Sequence, residues 1–376
     1  MKPSYQNLRD RILQDFWTRN GVKVGDKLPT ERELEKLYQV SRPTISKAIA
    51  ALAAEGWVTK RQGSGIYVAS VCKPTPPHTD RQQPRIGYVT MSLRPVLAHR
   101  VFEGIERIAA RHGYAVEVAS TQWQYEVERQ KIACMREQGV QGVVLYPGGR
   151  DKSVAEYLGR EFGDFPIVVV DMYQPTMRRP HFIFDNYQAG REMTEYLLRE
   201  GRTEIAFLKY SDRLAYRSVD DRLLGHRRAL EEAGVPWDPA RVVSFEGTGP
   251  FGRDHCQALE RVLSLRPRPT ALITPYDPYA HASIVWLRQR GVSVPDDILV
   301  VGFDNLQEEP WWERFPTTRP DFVRMGERAA EALLERIRTR NFEPTEVVLP
   351  CPLAIPQPTT TEVVGAGDGL RTGGGS

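Results

Sequence analysis

The sequence predicts a small N-terminal α+β head, a helix-turn-helix followed by a glycine-tipped hairpin, joined to a much larger two-lobed α/β domain. Three observations carry this prediction. Residues 28–70 hold two helix-start signals and then two short strands around Gly63 and Gly65. From Arg85 onward short apolar runs alternate with helical lengths, and the alternation restarts after Asp185. Between these regions, Pro74, Pro76, Pro77 and Pro84 stand among polar neighbours, a composition that favours extended chain over a packed element. The expected boundaries are 1–70 for the head, 71–84 for the linker, 85–357 for the body and 358–376 for a disordered, glycine-rich tail.

Each element of the head has a physical reason. Thr30 with a carboxylate three residues later, at Glu33, forms a capping box that starts a helix, with Leu34, Leu37 and Tyr38 expected to face inward. Ser41 can cap a second helix, and Pro43 sits in its first turn, where a missing amide hydrogen costs little. Ile45, Ala48, Ile49 and Leu52 recur at helical spacing and bury one face, which leaves Arg42, Thr44, Ser46 and Lys47 on the other. A basic helix of this kind meets base edges and phosphates in a DNA major groove. Residues 57–61 and 66–68 read as the strands of a hairpin, with Lys60 and Arg61 beside two glycines that let backbone approach a duplex closely.

Charge supports the same reading. Residues 1–70 hold 12 Lys and Arg against 7 Asp and Glu, a net of +5, while the 376-residue chain is only +3. Phosphate attraction is therefore confined to the head, and the remainder is slightly acidic. No segment approaches the roughly 20 apolar residues of a membrane helix, and the N-terminus has no apolar signal core, so the expected location is the cytoplasm without membrane contact. Cys72, Cys134, Cys256 and Cys351 are scattered without metal-ligand spacing, which predicts free thiols, no metal and no cofactor. P-loop, H-E-x-x-H and G-x-S-x-G patterns are absent, so no catalytic residue is predicted and an enzyme is disfavoured. The Gly63/Gly65 pair opens no helix and belongs to the hairpin.

In the body, RIGYVTM, AVEVAS, GVVLYP and PIVVVDM read as buried strands of one doubly wound unit. EIAFLKY, RVVSFEG, TALITPY and ILVVGFDN form a second. Helices between them are expected to end at Gly113 and Gly139. Ligands in such sheets bind at the carboxyl ends of strands, so two facing units place Met91, Tyr146, Asp171, Tyr276 and Asp304 around one cleft.

The head resembles the winged-helix domain of the GntR family of bacterial transcription regulators over about residues 5–68. The elements are L-P-T-E-R-E-L at 28–34, V-S-R-P-T-I-S-K-A at 40–48 and E-G-W-V-T-K-R-Q-G-S-G at 55–65. The resemblance implies DNA contacts from Arg32, Arg42, Thr44, Lys47, Lys60, Arg61, Gln62 and Gly65.

Residues 85–357 resemble the effector-binding domain of LacI-type repressors and periplasmic sugar-binding proteins. R-I-G-Y-V, F-E-G-I-E-R at 102–107, F-D-N-Y-Q-A-G at 184–190, D-R-L-L-G-H-R-R-A-L at 221–230, V-P-D-D-I-L-V-V-G-F-D-N at 294–305 and P-T-T-R-P at 316–320 carry the match. It implies a two-lobed periplasmic-binding-protein-like fold. The expected first lobe is about 85–184 plus 319–340, and the second about 185–318 plus 341–357. Arg222 and Asp304 would hold effector oxygens, with Asp171 at another cleft position. One departure concerns the strand TALITP, where Tyr276 precedes Asp277 and the family's usual asparagine is absent. Around the cleft the sequence offers aromatic residues instead: Trp123, Tyr146, Tyr173, Tyr276, Trp311 and Trp312. Aromatic faces stack on sugar rings while carboxylates and arginine grip hydroxyls, which suits a carbohydrate.

A GntR-like head on a LacI-like sensor resembles arabinose-repressor-type regulators. It implies a homodimer on double-stranded operator DNA that represses carbohydrate-utilisation genes and responds when a sugar-like effector closes the cleft. The competing expectation is a transport-type or signalling small-molecule binding protein without direct gene control.

Overall fold

The computed structural model describes residues 5–19, 22–61, 63–70, 83–93, 95–148, 153–172, 178–211, 217–247, 249–306, 313–341 and 343–356. Most of the 71–84 linker, the 358–376 tail, Gln62, Cys72, Tyr173, Trp311 and Trp312 lie outside the described residues.

The head opens with α1 (Tyr5–Ile12), which continues as a wider π-helical stretch over Leu13–Arg19. Next come β1 (Lys27–Leu28), α2 (Glu31–Tyr38), α3 (Arg42–Ala54), β2 (Val58–Arg61) and β3 (Gly65–Val68). Strands β1, β3 and β2 form one antiparallel sheet in that order. The capping box is complete: the Glu33 amide donates to Thr30 Oγ1 at 3.3 Å, and the Thr30 amide donates to Glu33 Oε2 at 2.7 Å. Two expectations are corrected. Ser41 makes no side-chain cap and instead shares a 2.9 Å hydrogen bond with Thr44 Oγ1. Leu37 is 61% exposed, because in so short a helix Leu34 and Tyr38 already fill the buried stripe. The core gathers Leu8, Ile12, Trp17, Leu34, Ile45, Ile49, Leu52, Val58 and Ile66, with Trp17 edge-on to Trp57.

The first lobe runs β4 (Arg85–Thr90), α4 (Val96–Arg111), β5 (Ala115–Ser120), α5 (Tyr125–Glu137), β6 (Val143–Tyr146), α6 (Ser153–Glu161), β7 (Ile167–Val170) and β8 (His181–Phe184). Gly113 and Gly139, each with positive φ, follow α4 and α5 as the sequence predicts. The second lobe runs α7 (Asn186–Arg199), β9 (Ile205–Tyr210), α8 (Arg217–Glu232), β10 (Val242–Phe245), α9 (Arg253–Ser264), β11 (Ala271–Ile273), α10 (Asp277–Arg288) and β12 (Leu299–Val301). Its parallel sheet has the order β10-β9-β11-β12. After β13 (Thr317–Thr318), α11 (Phe322–Thr339) returns to the first lobe and packs on α4. The chain ends in β14 (Glu346–Leu349) and β15 (Leu353–Ala354).

Here the lobe assignment is corrected. The sequence reading places residues 341–357 in the second lobe, yet β14 pairs in parallel with β8 and becomes the edge of the first-lobe sheet, ordered β14-β8-β7-β6-β4-β5. The E-V-V-L strand finds an open parallel edge on β8, where its backbone is satisfied, and only β15 pairs back with β13. Three segments therefore join the lobes, and they are bonded to one another: the Asp185 amide donates to Leu349 O at 2.9 Å and the Arg319 amide to Pro352 O at 2.8 Å. Strands β6 and β7 are buried along their whole length, as expected of parallel strands covered on both faces.

Each lobe also has a helix pair in glycine-mediated contact. A Cβ on Gly104 would lie 2.1 Å from Val323 O across α4 and α11, and one on Gly190 would lie 2.1 Å from Arg222 O across α7 and α8. The second crossing presses the backbone of Arg222 against α7.

Candidate functional site

Two regions assemble the residues singled out by sequence. On the head, Arg32, Arg42 and Lys47 are exposed and make no ion pair among the described residues, so their charges are turned to solvent. Thr44 is half-buried beside Ser41. In the hairpin, Arg61 lies over the Tyr67 ring at 4.7 Å, and Lys60 Nζ contacts Glu31 Oε1 at 2.7 Å. Nothing in the sequence announces that ion pair. Glu31 opens α2, and a carboxylate in a helix's first turn is favoured by the helix dipole. Gly65 has φ +130°, a conformation that side chains rarely adopt, and an added Cβ would meet Lys27 Cε at 2.8 Å. The tight tip therefore depends on glycine.

The second region is a cleft of about 500 Å³ between the lobes. Trp123, Tyr146, Asp171, Arg222, Tyr276 and Asp304 all line it. The first three come from the ends of first-lobe strands and the loops after them; the others come from the second lobe. Arg222, on α8, is almost wholly buried and bonded through each of its three nitrogens. Its Nε donates to Asn186 Oδ1 at 2.8 Å, Nη1 to Pro275 O at 2.8 Å and Nη2 to Asp304 Oδ1 at 2.9 Å, while its plane rests 4.2 Å above the Phe303 ring. Stacking on one face and a fork of donors on the edge suit guanidinium and not ammonium.

Asp304 follows β12 with φ +87° and is held from behind, because the Asp304 and Asn305 amides donate to Thr318 Oγ1 and Thr317 Oγ1 at 3.2 and 3.3 Å. This explains the threonine pair in P-T-T-R-P. Asp171 follows β7 with φ +62° and accepts a hydrogen bond from the Tyr146 hydroxyl. Burial pushes its carboxyl up to about 6, partly offset by that hydroxyl and reinforced by the nearby Asp304. Tyr146 is pushed well above its ordinary value, first by burial and then by the charge of Asp171. Trp123, 46% exposed, has φ +63°. Three non-glycine residues in the left-handed region thus stand around one cleft, each costing on the order of 1–3 kcal/mol, and such strain collects at functional sites.

Tyr276 is half-buried, edge-on to Tyr279 at 5.2 Å. Its neighbour Asp277 is wholly buried and faces inward: it accepts from Thr317 Oγ1 at 2.6 Å and from the Leu306 amide at 2.8 Å. Sequence reasoning missed Tyr210, Ser218 and Val219, which also line the cleft, and Asn186, which orients Arg222. Ser218 and Val219 lie one helical turn before Arg222, so the i−4 and i−3 spacing could have found them.

Below the cleft, Glu128 is fully buried in α5. It accepts from the Gly148 amide at 2.7 Å and the Tyr157 hydroxyl at 2.6 Å, and burial pushes its carboxyl up to about 7. Cys134, Cys256 and Cys351 are free thiols.

Comparison with known proteins fits both regions. The pattern for bacterial regulatory proteins of the gntR family matches residues 4–68, and that for a periplasmic binding protein-like domain matches 194–359. An arabinose metabolism transcriptional repressor of Geobacillus stearothermophilus is 29% identical over 370 residues, spanning 96% of this chain and 98% of that protein. The HTH-type transcriptional repressor PurR of Vibrio campbellii is 30% identical over 262 residues, covering 69% of this chain and 76% of that one. Among solved structures, a transcriptional regulator CelR–cellobiose complex aligns with TM-score 0.63 at 23% identity, covering 84% of this chain and 91% of its own, a likeness of fold. The chain belongs to the bacterial transcription regulators that couple a GntR-type winged helix to a LacI-type, periplasmic-binding-protein-like sensor.

Proposed function

We propose that this regulator is a repressor of carbohydrate-utilisation genes that binds operator DNA as a homodimer and changes its affinity when a neutral, sugar-like effector occupies the cleft. The observation that carries this reading is the joining, in one chain, of exposed basic residues on a recognition helix to a cleft lined by Arg222, Asp304, Asp171 and aromatic rings. Arg42, Thr44 and Lys47 would meet base edges and phosphates, while Arg32, Lys60, Arg61, Gln62 and the Gly65 tip would clamp the backbone. Pairing two heads under two-fold symmetry would supply specificity on an inverted repeat.

The cleft's charge supports a neutral effector. Its described lining holds two carboxylates against one guanidinium that is already bonded three times. Hydroxyl donors would satisfy Asp171 and Asp304, whereas a phosphate would face net negative charge. A cleft of this size takes a mono- or disaccharide, and the names of the relatives put arabinose first on the panel.

A thermal-shift screen of pentoses, hexoses, their phosphates and oligosaccharides tests this, followed by footprinting and light scattering of the DNA complex with and without the stabilising compound. Stabilisation by a neutral sugar, with a changed footprint of two chains on an inverted repeat, is the expected result. Stabilisation by phosphates alone, or one chain on a non-palindromic site, contradicts the reading.

A further inference from the structure

The α5 helix reaches from the effector cleft to the DNA-binding head. At its N-terminal side stands Trp123, which lines the cleft in a left-handed conformation and donates its amide to Met91 O at 3.1 Å. One turn into the helix, the buried Glu128 ties α5 to Gly148, two residues beyond Tyr146, and to Tyr157 of α6. Farther along, the same helix meets the winged helix. Gln130 Nε2 donates to Trp17 O, and Glu137 Oε2 accepts from Ser70 Oγ at 3.0 Å. At the end of α6, Glu161 Oε1 takes Lys23 Nζ at 3.2 Å and Arg129 Nη1 at 2.9 Å.

On the head these contacts form one cluster. Trp17 Nε1 donates to Ser70 O at 2.8 Å, so the two residues that touch α5 are fastened to each other. Among the described residues, Arg32, Arg42, Lys47 and Arg61 make no hydrogen bond or ion pair to the sensor. The docked pose therefore occupies none of these reading residues.

We propose that α5 and the end of α6 form a docking face for this chain's own winged helix, which is held there in a pose that still binds DNA. The contact is small and polar, and each exposed pair is individually weak. It is populated because the 71–84 linker keeps the head at high effective concentration. A weak contact is also one that a change at the cleft can tip, because α5 is about 20 Å long and is anchored at both ends.

Chemical cross-linking in the full chain tests this. Ser70→Cys and Glu137→Cys are introduced together with Cys72→Ser, Cys134→Ser and Cys256→Ser, and the protein is treated with a short bismaleimide. Intrachain product is followed by gel mobility and peptide mass. The expected result is intrachain cross-linking that Lys23→Glu slows about three- to fivefold and Lys23→Glu with Glu161→Lys restores. Equal rates in all three proteins would mean that the tether alone brings the cysteines together, and the docking face would be overturned. The cross-linked protein is then titrated with mixed-sequence duplex DNA at low salt. Affinity within threefold of the uncross-linked protein is expected; a tenfold loss would refute a DNA-competent docked pose.

Discussion

The head and the sensor cleft use charge in opposite ways. On the head, Arg32, Arg42 and Lys47 stand in water without ion-pair partners among the described residues. In the cleft, Arg222 is buried and bonded to Asn186, Pro275 and Asp304, and Asp171 is bonded to Tyr146. Solvated charges act nearly independently and are screened by salt. Buried, mutually bonded groups act as a unit, so removing one leaves its partners unsatisfied.

The buried unit is most vulnerable at Arg222. Arg222→Ala strips three acceptors of their donor and leaves the Asp304 charge part-buried and without its guanidinium, a loss of about 3–5 kcal/mol in sensor stability by the cost of breaking buried pairs. Asp304→Asn, which keeps the shape, should lose effector affinity with far less destabilisation. Chemical denaturation and ligand titration separate the two effects; an Arg222→Ala sensor as stable as the parent would show that the network is not a unit.

Gly190→Ala disturbs the same unit from behind the site. Its Cβ would meet Arg222 O at 2.1 Å, so α7 and α8 must move apart, costing about 1–3 kcal/mol by overpacking and misplacing Arg222 although no functional side chain is changed. Melting and effector titration together check this.

On the head, Arg42→Ala should weaken specific operator binding by about 1–3 kcal/mol. Its effect should add to that of Arg61→Ala, whereas Arg222→Ala and Asp304→Ala should be strongly non-additive in effector binding. Additive losses in both regions would erase the distinction.

A smaller effect concerns acidity. Asp171 is held near 6 by burial, with Tyr146, Asp304 and Arg222 as its polar surroundings, and the proposed role as acceptor of effector hydroxyls is strongest in its ionised form. Binding that prefers the carboxylate lowers its folded value further, so affinity is full well above pH 6, is halved near 6 and falls by roughly tenfold at pH 5. Calorimetry across this range should show the decline in the parent and a flat profile in Asp171→Asn. The least effect is expected of Lys60→Ala, whose charge already meets Glu31: all duplexes should bind slightly more weakly, with the salt slope reduced by no more than about 0.9.

Much of this architecture was legible because local signals and tertiary demands agreed. The capping box at Thr30 and Glu33, the recognition-helix stripe and eight body strands all follow from spacing and apolar runs. β8 and β14 were not legible. HFIF is four residues between Pro180 and Asp185, and EVVL has half-exposed positions, so neither stands out until a sheet edge receives it. Within the cleft, Met91, Tyr146, Asp171, Tyr276 and Asp304 could be placed by strand ends and Arg222 by its motif. Their internal bonding could not, because whether Arg222 grips Asn186 or solvent depends on the approach of α7 and α8, which is set by Gly190 and Gly225 together.

The three laced crossings between the lobes restrict how the cleft can move. One tether would let the lobes swivel about any axis, and two would still permit twisting. Three segments bonded side by side, through Asp185 to Leu349 and through Arg319 to Pro352, act like the leaves of a door hinge and leave a single soft coordinate of opening. An effector then needs to bias only that coordinate, and its binding energy is not dissipated over a broad set of lobe orientations.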